Sequence, residues 1–528
     1  MTAKPKVLIS DKMSAQAEQI FIARGVDVTV KTDLKPEELK AIIANYDGLA
    51  IRSSTKVTAD ILQGATNLKV IGRAGIGVDN VDVPAATQTG VVVMNTPFGN
   101  SITTAEHTIA MMMALARQIP SANASTHAGK WEKTKYMGQE LFGKTLGVIG
   151  CGNIGAIVAD RAIGLKMKVI GFDPFLSAER AVELGIEKVE LEDLFKRADF
   201  ITLHTPMTEG TKGIINAAAM AKMKKGVRLI NCARGGLIVE ADLKTALDSG
   251  HVAGAALDVF EEEPAKSNPL FGHENVVCTP HLGASTVEAQ ENVALQVAEQ
   301  MADYLLQGAV ANAVNMPSVS AEDAPKLKPY MKLAEQIGSL AGQLATADVS
   351  EIQVEYEGLV AAINTKPLTA LVLSGFLKPS MEGVNIVSAP ARARERGIAI
   401  AETKREKAKD YQTLIRVTVT GTAGKNTVEG TLFGGEHPRI VHIDGVPVET
   451  AVSPHMIFIQ NLDQPGLIGA VGTILGDNKI NIADFNLGRI PGQGKAIALI
   501  STDEPVSEAI TDALSKLKQV ERVKILKF

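Results

Sequence analysis

Residues Leu146 to Asp173 read LGVIGCGNIGAIVADRAIGLKMKVIGFD. The apolar run 146–149 predicts a short buried strand, followed by a glycine turn, a helix and a second strand over 168–172. The turn spells Gly150-x-Gly152-x-x-Gly155, and each glycine has its own reason to lack a side chain. The first allows the tight turn, the second lets a pyrophosphate approach the backbone, and the third lets helix and strand pack closely. Asn153 and Ile154 open the helix, which points free N–H groups and a positive dipole end at the phosphates. Asp173 ends the second strand, where a carboxylate can accept hydrogen bonds from both ribose hydroxyls. A carboxylate there repels a 2′-phosphate, and the following Pro174-Phe175 offers no arginine to hold one. The spacing predicts a dinucleotide domain that binds NAD in preference to NADP.

At 528 residues the chain is too long for one core, and its size suggests about three or four domains. Its 45% hydrophobic and 21% charged residues are those of a soluble globular protein. A net charge of −5 without a basic stripe argues against nucleic acid. Three scattered cysteines, Cys151, Cys232 and Cys278, form neither a disulfide framework nor a metal site. With no signal-peptide pattern and no apolar run long enough for a bilayer, a cytoplasmic protein is expected, with no membrane partner and no metal.

Upstream, segments 7–10, 26–30, 48–52, 68–72 and 91–95 read as short buried strands with helices between most of them. They predict a parallel α/β domain whose ligands lie beyond the strand carboxyl ends. Arg52 and Arg73 fall at two such ends, in IRSST and GRAGIGVDN. Each alone reads as a solvated strand terminus. Together, beside the backbone amides of Gly75-x-Gly77, they are equally well read as an anion site. A helix over 101–117 leads to a loop, 128–135, with the only tryptophan, Trp131, among lysines. Trp131 is either an interface anchor or a surface-packed side chain.

Downstream of Asp173, predicted strands at 200–204, 228–231, 254–257 and 276–278 each run into polar residues: Thr205, Cys232 to Gly236, Asp258, and Thr279-Pro280-His281. A helix over 285–307 follows, and 312–317 reads as a boundary. If that helix returns to the first domain, the dinucleotide domain is an insertion and a cleft separates two lobes. Residues 319–452 read as a separate α+β module, with a strand at 352–356. A mixed charge run at 392–396 and 402–407 is read there as a solvated helix face. Strands follow at 414–420, 428–433, 439–443 and 446–449, the last two joined by Asp444-Gly445, a hairpin signal. The segment 456–528 reads βαββαβ, a ferredoxin-like pattern. Asp463-x-Pro465-Gly466 before its first helix is a candidate small-ligand seat.

Arg234, Glu263 and His281 form a chemically coherent set. Oxidising an alcohol needs a base for the hydroxyl proton while hydride leaves the same carbon, and histidine, with an unperturbed pKa near ~6.5, serves in either direction. A carboxylate on its other nitrogen would fix the tautomer, and an arginine could grip a 2-hydroxy acid's carboxylate. Surface ion pairs are an equally open reading of Arg234 and Glu263. Of nine histidines, His107, His127, His204, His251 and His273 are read as structural.

These motifs carry a resemblance. Gly150 to Gly155, NCARGG (231–236), ALDVFEEEP (256–264) and TPHLGAST (279–286) together resemble the NAD-dependent D-2-hydroxyacid dehydrogenases. RAGIGVDNVD, MNTPFGNS and GKWEKTKYMG are similar to the branch of that family that oxidises 3-phospho-D-glycerate. The tail is similar to that branch's long form. The resemblance implies a Rossmann-type dinucleotide domain (98–285) inserted in a flavodoxin-like substrate domain (1–97 and 286–317). An allosteric α+β module (318–453) and a ferredoxin-like ACT domain (454–528) follow. It implies that Arg234, Glu263 and His281 are the carboxylate-binding arginine, orienting glutamate and proton-transfer histidine. Gly150, Gly152, Asn153, Ile154, Gly155, Asp173, Thr205, Cys232, Asp258, Gly283 and Ala284 match cofactor contacts. Arg52, Arg73 and Asn100 match substrate contacts, and Lys133 or Lys135 matches a basic residue reaching the substrate phosphate from a neighbouring subunit. Asp463 and Asn481 match contacts to L-serine, the implied effector. Asn461 lies among them but departs from the side chains relatives carry. A homotetramer is implied. The rival readings are a dehydrogenase of the same scaffold acting on glyoxylate, hydroxypyruvate or D-lactate, and a non-catalytic NAD-sensing regulator.

Overall fold

The structure, a computed structural model, describes residues 4–319, 323–345, 348–407, 409–422, 424–490, 492 and 494–528. Contacts divide the chain into two units, one of residues 1–73, 77–95 and 297–528, the other of 74–76 and 96–296.

In the first unit, β1 (Lys6–Ile9), β2 (Asp27–Val30), β3 (Gly48–Ile51), β4 (Val70–Arg73) and β5 (Val92–Met94) form a wholly parallel sheet. Its order is β2-β1-β3-β4-β5, the flavodoxin-like winding. The strands are near-continuous apolar runs because helices cover both faces of a parallel sheet. Leu49, Ile51, Ile71 and Val93 are accordingly buried.

In the second unit, β6 (Thr145–Ile149), β7 (Lys168–Phe172), β8 (Glu187–Lys188), β9 (Phe200–Leu203), β10 (Val227–Asn231), β11 (Val252–Leu257) and β12 (Val276–Cys278) make a seven-stranded parallel sheet. The order β8-β7-β6-β9-β10-β11-β12 is the doubly wound nucleotide-binding arrangement with one extra strand, and its winding reverses between β6 and β9. Two residues are too few for a periodic signal, so β8 was not legible in the sequence. The helix Ser101–Ala116 is followed by a second one, Ile119–His127. Gln118 separates them with φ of 51°.

The third sheet, also in the first unit, contains β13 (Val349–Gly358), β14 (Ala399–Arg405), β15 (Thr413–Gly421), β16 (Gly424–Phe433), β17 (His437–Ile443) and β18 (Val446–Thr450), in the order β14-β13-β15-β16-β17-β18. It corrects the reading of the charged run as one helix face. Only Ala389–Glu395 is helical, while 399–405 is an edge strand parallel to β13. An edge strand with one side in water tolerates the same alternation of charges as a solvated helix. The β17–β18 hairpin turns at Asp444 (φ 49°) and Gly445 (φ 76°), the two positive angles of a type I′ turn.

The last sheet holds β19 (His455–Leu462), β20 (Ile482–Arg489), β21 (Lys495–Thr502) and β22 (Val520–Lys527) in the order β20-β21-β19-β22, with helices Leu467–Asp477 and Glu508–Ser515. On one face Ile457, Ile459 and Ile500 pack with Val471 and Leu514 of these helices. On the other, Met456, Phe458, Ile497, Leu499 and Leu526 share a core with the third-sheet module. Among the described residues, no helix is long and apolar enough to cross a membrane.

Candidate active site

The glycine turn follows β6 directly. Gly150 has φ of 91°, and a β-carbon on it would lie 2.6 Å from the His204 carbonyl oxygen. A β-carbon on Gly155 would lie 2.0 Å from the Gly150 oxygen. Neither position admits a side chain. Around Gly152 there is nothing within 4 Å, so the open approach is where a pyrophosphate needs it, at the start of the helix Asn153–Gly164. Asp173 stands beside this turn: one carboxylate oxygen accepts from the Cys151 amide at 2.8 Å and the other from the Phe175 amide at 2.8 Å. A carboxylate has about four lone-pair sites, so it can still accept from ribose hydroxyls. Thr205, after β9, faces Gly150 across the point where the winding reverses. The cradle fits a dinucleotide.

At the same carboxyl edge, β10 ends in Asn231. The Asn231 side chain accepts from the Ala233 amide (3.1 Å) and donates to the Arg234 carbonyl (2.8 Å), folding the loop that presents Arg234. Gly235 lies so close to the next loop that a β-carbon would sit 1.7 Å from the Phe260 oxygen. The absence of a side chain at Gly235 lets the Arg234 loop pass close against the segment carrying Glu263. Glu263 accepts from the Phe260 amide at 3.1 Å through one oxygen and meets His281 Nδ1 at 2.6 Å through the other. Burial would raise the Glu263 pKa, but the His281 bond and the Phe260 amide outweigh it and hold the carboxyl below its ordinary value. Among the described residues, His281 Nε2 makes no hydrogen bond, and the ring is half exposed.

Asp258 was expected to touch the cofactor. Its side chain is wholly buried and organises residues 279–283. One oxygen accepts from the Thr279 hydroxyl (2.6 Å) and the Leu282 amide (2.7 Å), the other from the Gly283 amide (2.8 Å). Its carbonyl accepts from the His281 amide at 2.8 Å. His107, read from sequence as structural, lies 3.2 Å from Asp258. No spacing rule could find it, because the two are joined only by the fold. Cys232 is buried and its thiol is pushed up to about 12, mainly by burial, which keeps it protonated. Ala284, half-buried, follows Gly283 in the same loop.

Asn100 is 7% exposed, and its side-chain oxygen is buried without a hydrogen-bond partner. Such an acceptor costs about 1–3 kcal/mol unless something donates to it. The expected amide nest at Gly75 is partly closed, since that amide donates to Thr96 Oγ1 at 2.6 Å. In the other unit, Arg73 ends β4 and pairs in register with Ile51, the neighbour of Arg52. The two arginines thus terminate adjacent strands. The Arg52 segment is fixed by buried Asp11, which accepts from the Arg52 and Thr55 amides at 2.6 and 3.2 Å. Lys133 and Lys135 are exposed. Trp131 beside them is 87% exposed, so it is not packed against this chain's own surface.

In the last sheet Asn461 is buried, donates to the Leu462 carbonyl at 2.8 Å, and has an oxygen without a partner. Asp463, exposed, lies 3.8 Å from Arg489. The Asn481 amide is engaged by Asp503 at 2.6 Å.

Residues 109–283 match the family model for the NAD binding domain of D-isomer specific 2-hydroxyacid dehydrogenases. The doubly wound sheet and its glycine cradle belong to that class of NAD-dependent oxidoreductase. Residues 326–444 match the D-3-phosphoglycerate dehydrogenase intervening domain, and 455–519 the ACT domain. The chain is 45% identical to the D-3-phosphoglycerate dehydrogenase of Bacillus subtilis over 99% of both chains. It is 43% identical to that of Archaeoglobus fulgidus, over 97% of this chain and 98% of the relative. A crystal structure of NAD⁺-bound 3-phosphoglycerate dehydrogenase from Entamoeba histolytica is 30% identical with a TM-score of 0.51, covering 59% of this chain and 99% of that one. The chain belongs to the D-3-phosphoglycerate dehydrogenase family, in the form that carries intervening and ACT domains.

Proposed function

We propose that this chain oxidises 3-phospho-D-glycerate to 3-phosphooxypyruvate with NAD⁺, the first step of L-serine biosynthesis. The observation that carries the reading is the 2.6 Å bond between Glu263 and His281 Nδ1. A carboxylate only accepts, so Nδ1 holds the proton and Nε2 keeps its lone pair. His281 Nε2 takes the proton of the C2 hydroxyl as the C2–H bond breaks and the carbonyl forms, and Glu263 stabilises the resulting imidazolium. NAD⁺, when bound, supplies the acceptor for the hydride. Gly150, Gly152, Asn153, Ile154, Gly155, Asp173, Thr205, Cys232, Asp258, Gly283 and Ala284 would hold it. Arg234 is the candidate for the substrate carboxylate and, at the developing carbonyl, for polarisation. Asn100, with its unsatisfied oxygen, is a candidate acceptor for the substrate.

A phosphate carries nearly two charges and needs cations. Arg52 and Arg73 at adjacent strand ends are the candidates, joined by Lys133 or Lys135 of a neighbouring subunit in a homotetramer anchored in part by Trp131. L-serine is the proposed effector at Asn461, Asp463 and Asn481, where the buried Asn461 oxygen offers an unused acceptor. Three free cysteines fit the reducing cytoplasm.

The test follows NADH formation with 3-phospho-D-glycerate, D-glycerate and D-lactate, with and without L-serine. Turnover confined to the phosphorylated acid supports the substrate, and suppression by serine supports the effector. Equal use of all three acids would sink the substrate assignment.

A further inference from the structure

His107 stands on the helix Ser101–Ala116, about two turns past Asn100. Its Nε2 lies 3.2 Å from Asp258 Oδ1 and 3.2 Å from Thr279 Oγ1. The partner is unusual: Asp258 is wholly buried, and the residues around the acid–base histidine converge on it. The Thr279 hydroxyl, the Leu282 amide and the Gly283 amide donate to its carboxylate, and the His281 amide donates to its carbonyl. A carboxylate has no proton to give, and the Thr279 hydroxyl spends its proton on the same oxygen, so His107 Nε2 carries the proton and shares it between Thr279 Oγ1 and Asp258 Oδ1. This bond links Asp258 to a side chain outside the 279–283 segment.

That segment is irregular, and His281 within it has φ of 56°. A residue with a β-carbon stays in that region only where its surroundings over-determine it. Asp258 supplies the constraint from one side, and His107 orients Asp258. The same helix begins at Asn100, whose oxygen is buried and unpartnered. His107 therefore ties the helix that begins at Asn100 to the loop that presents the proton carrier.

We propose that His107 is a positioning residue for the dehydrogenation. By donating to Asp258 it sets the 279–283 loop, and through it the His281 ring, for proton transfer. This rests on the reading of His281 as the proton carrier.

The test compares His107→Leu and His107→Gln, each in the wild-type and the His281→Gln background, using the full-length protein. Steady-state kinetics and NADH binding are the readouts. Loss of one hydrogen bond to a charged group is expected to lower kcat about tenfold in His107→Leu, with the NADH Kd changed less than about twofold. His107→Gln, which keeps an N–H donor, is expected to recover most of that loss. In the His281→Gln background, His107→Leu should cost less than about twofold more, because the group it positions is gone. Wild-type kcat in His107→Leu overturns the proposal. So does an equal fold-loss in both backgrounds, which marks a merely structural role. Wild-type kcat in His281→Gln alone instead overturns the proton-carrier reading, whatever His107 does. Should His107→Leu fail to fold, Thr279→Val removes a second hydrogen bond to the same Asp258 oxygen. A fall in kcat seen only with His281 present supports the proposal, and an unchanged kcat overturns it.

Discussion

His281 Nδ1 and Glu263 Oε2 stand 2.6 Å apart, and the remaining Glu263 oxygen is occupied by the Phe260 amide. The carboxylate cannot rotate away without losing a backbone donor, so it fixes one ring nitrogen as the proton-bearing one and leaves the other for chemistry.

Removing either partner separates orientation from proton transfer. His281→Gln is expected to lower kcat by roughly 10²–10⁴-fold while the NADH Kd stays within about threefold. Glu263→Gln, which keeps the shape but not the charge, is expected to cost less. Equal losses in kcat and NADH binding for His281→Gln would show that it holds the cofactor and does not carry the proton.

The same pair makes the site acid-sensitive, with a definite sign. Burial alone would lift the Glu263 pKa, but its bonds to His281 and Phe260 bring it below 4.5. A carboxyl depressed by folding contributes stability that is complete above its unfolded value and is lost as pH falls through its folded one. Asp258, likewise held below 3.8 against burial by His107, Thr279 and the Leu282 amide, acts in the same direction. Thermal midpoints should therefore fall as pH drops below about 4.5, and Asp258→Asn should flatten part of that fall. An unchanged acid limb in Asp258→Asn contradicts the assignment.

Two glycines of one motif should respond in opposite ways. Gly152→Ala meets open space, so the thermal midpoint should hold while KM for NAD⁺ rises about tenfold or more, since the methyl occupies the phosphate approach. Gly155→Ala would force a β-carbon to 2.0 Å from a backbone oxygen, and its unfolding midpoint should drop by several degrees, a cost of at least about 1–3 kcal/mol. Differential scanning calorimetry with NAD⁺ titration separates the two. A destabilised Gly152→Ala would refute the open-approach reading.

Arg73→Ala, and Arg52→Ala beside it, should raise KM for 3-phospho-D-glycerate about tenfold or more, the worth of one charged hydrogen bond or more. KM for NAD⁺ should be unchanged. If the arginines are only solvated strand ends, all constants will match the wild type.

The parallel sheets were legible because β-strands buried on both faces are continuous apolar runs, and β3, β4, β6 and β9 are such runs. Glycine turns are equally local: Gly150 needs its positive φ whatever surrounds it. The charged stretch at 392–407 was misread for the complementary reason. Helix faces and edge strands are both solvated, and charge alone does not tell them apart until pairing with β13 decides.

By itself, then, the sequence determined what depends on neighbouring residues: the strands, the dinucleotide turn, the acid at Asp173 and the kinds of side chain at each strand end. The tertiary structure alone decided what depends on distance. Asp258 became a buried hub for the 279–283 loop, His107 came to stand beside it from another element, and Glu263, already the sequence candidate, came within 2.6 Å of His281. Hydrogen bonds form or fail over a few tenths of an ångström, and residues far apart in sequence reach that range only when a folded sheet brings its loops to one edge.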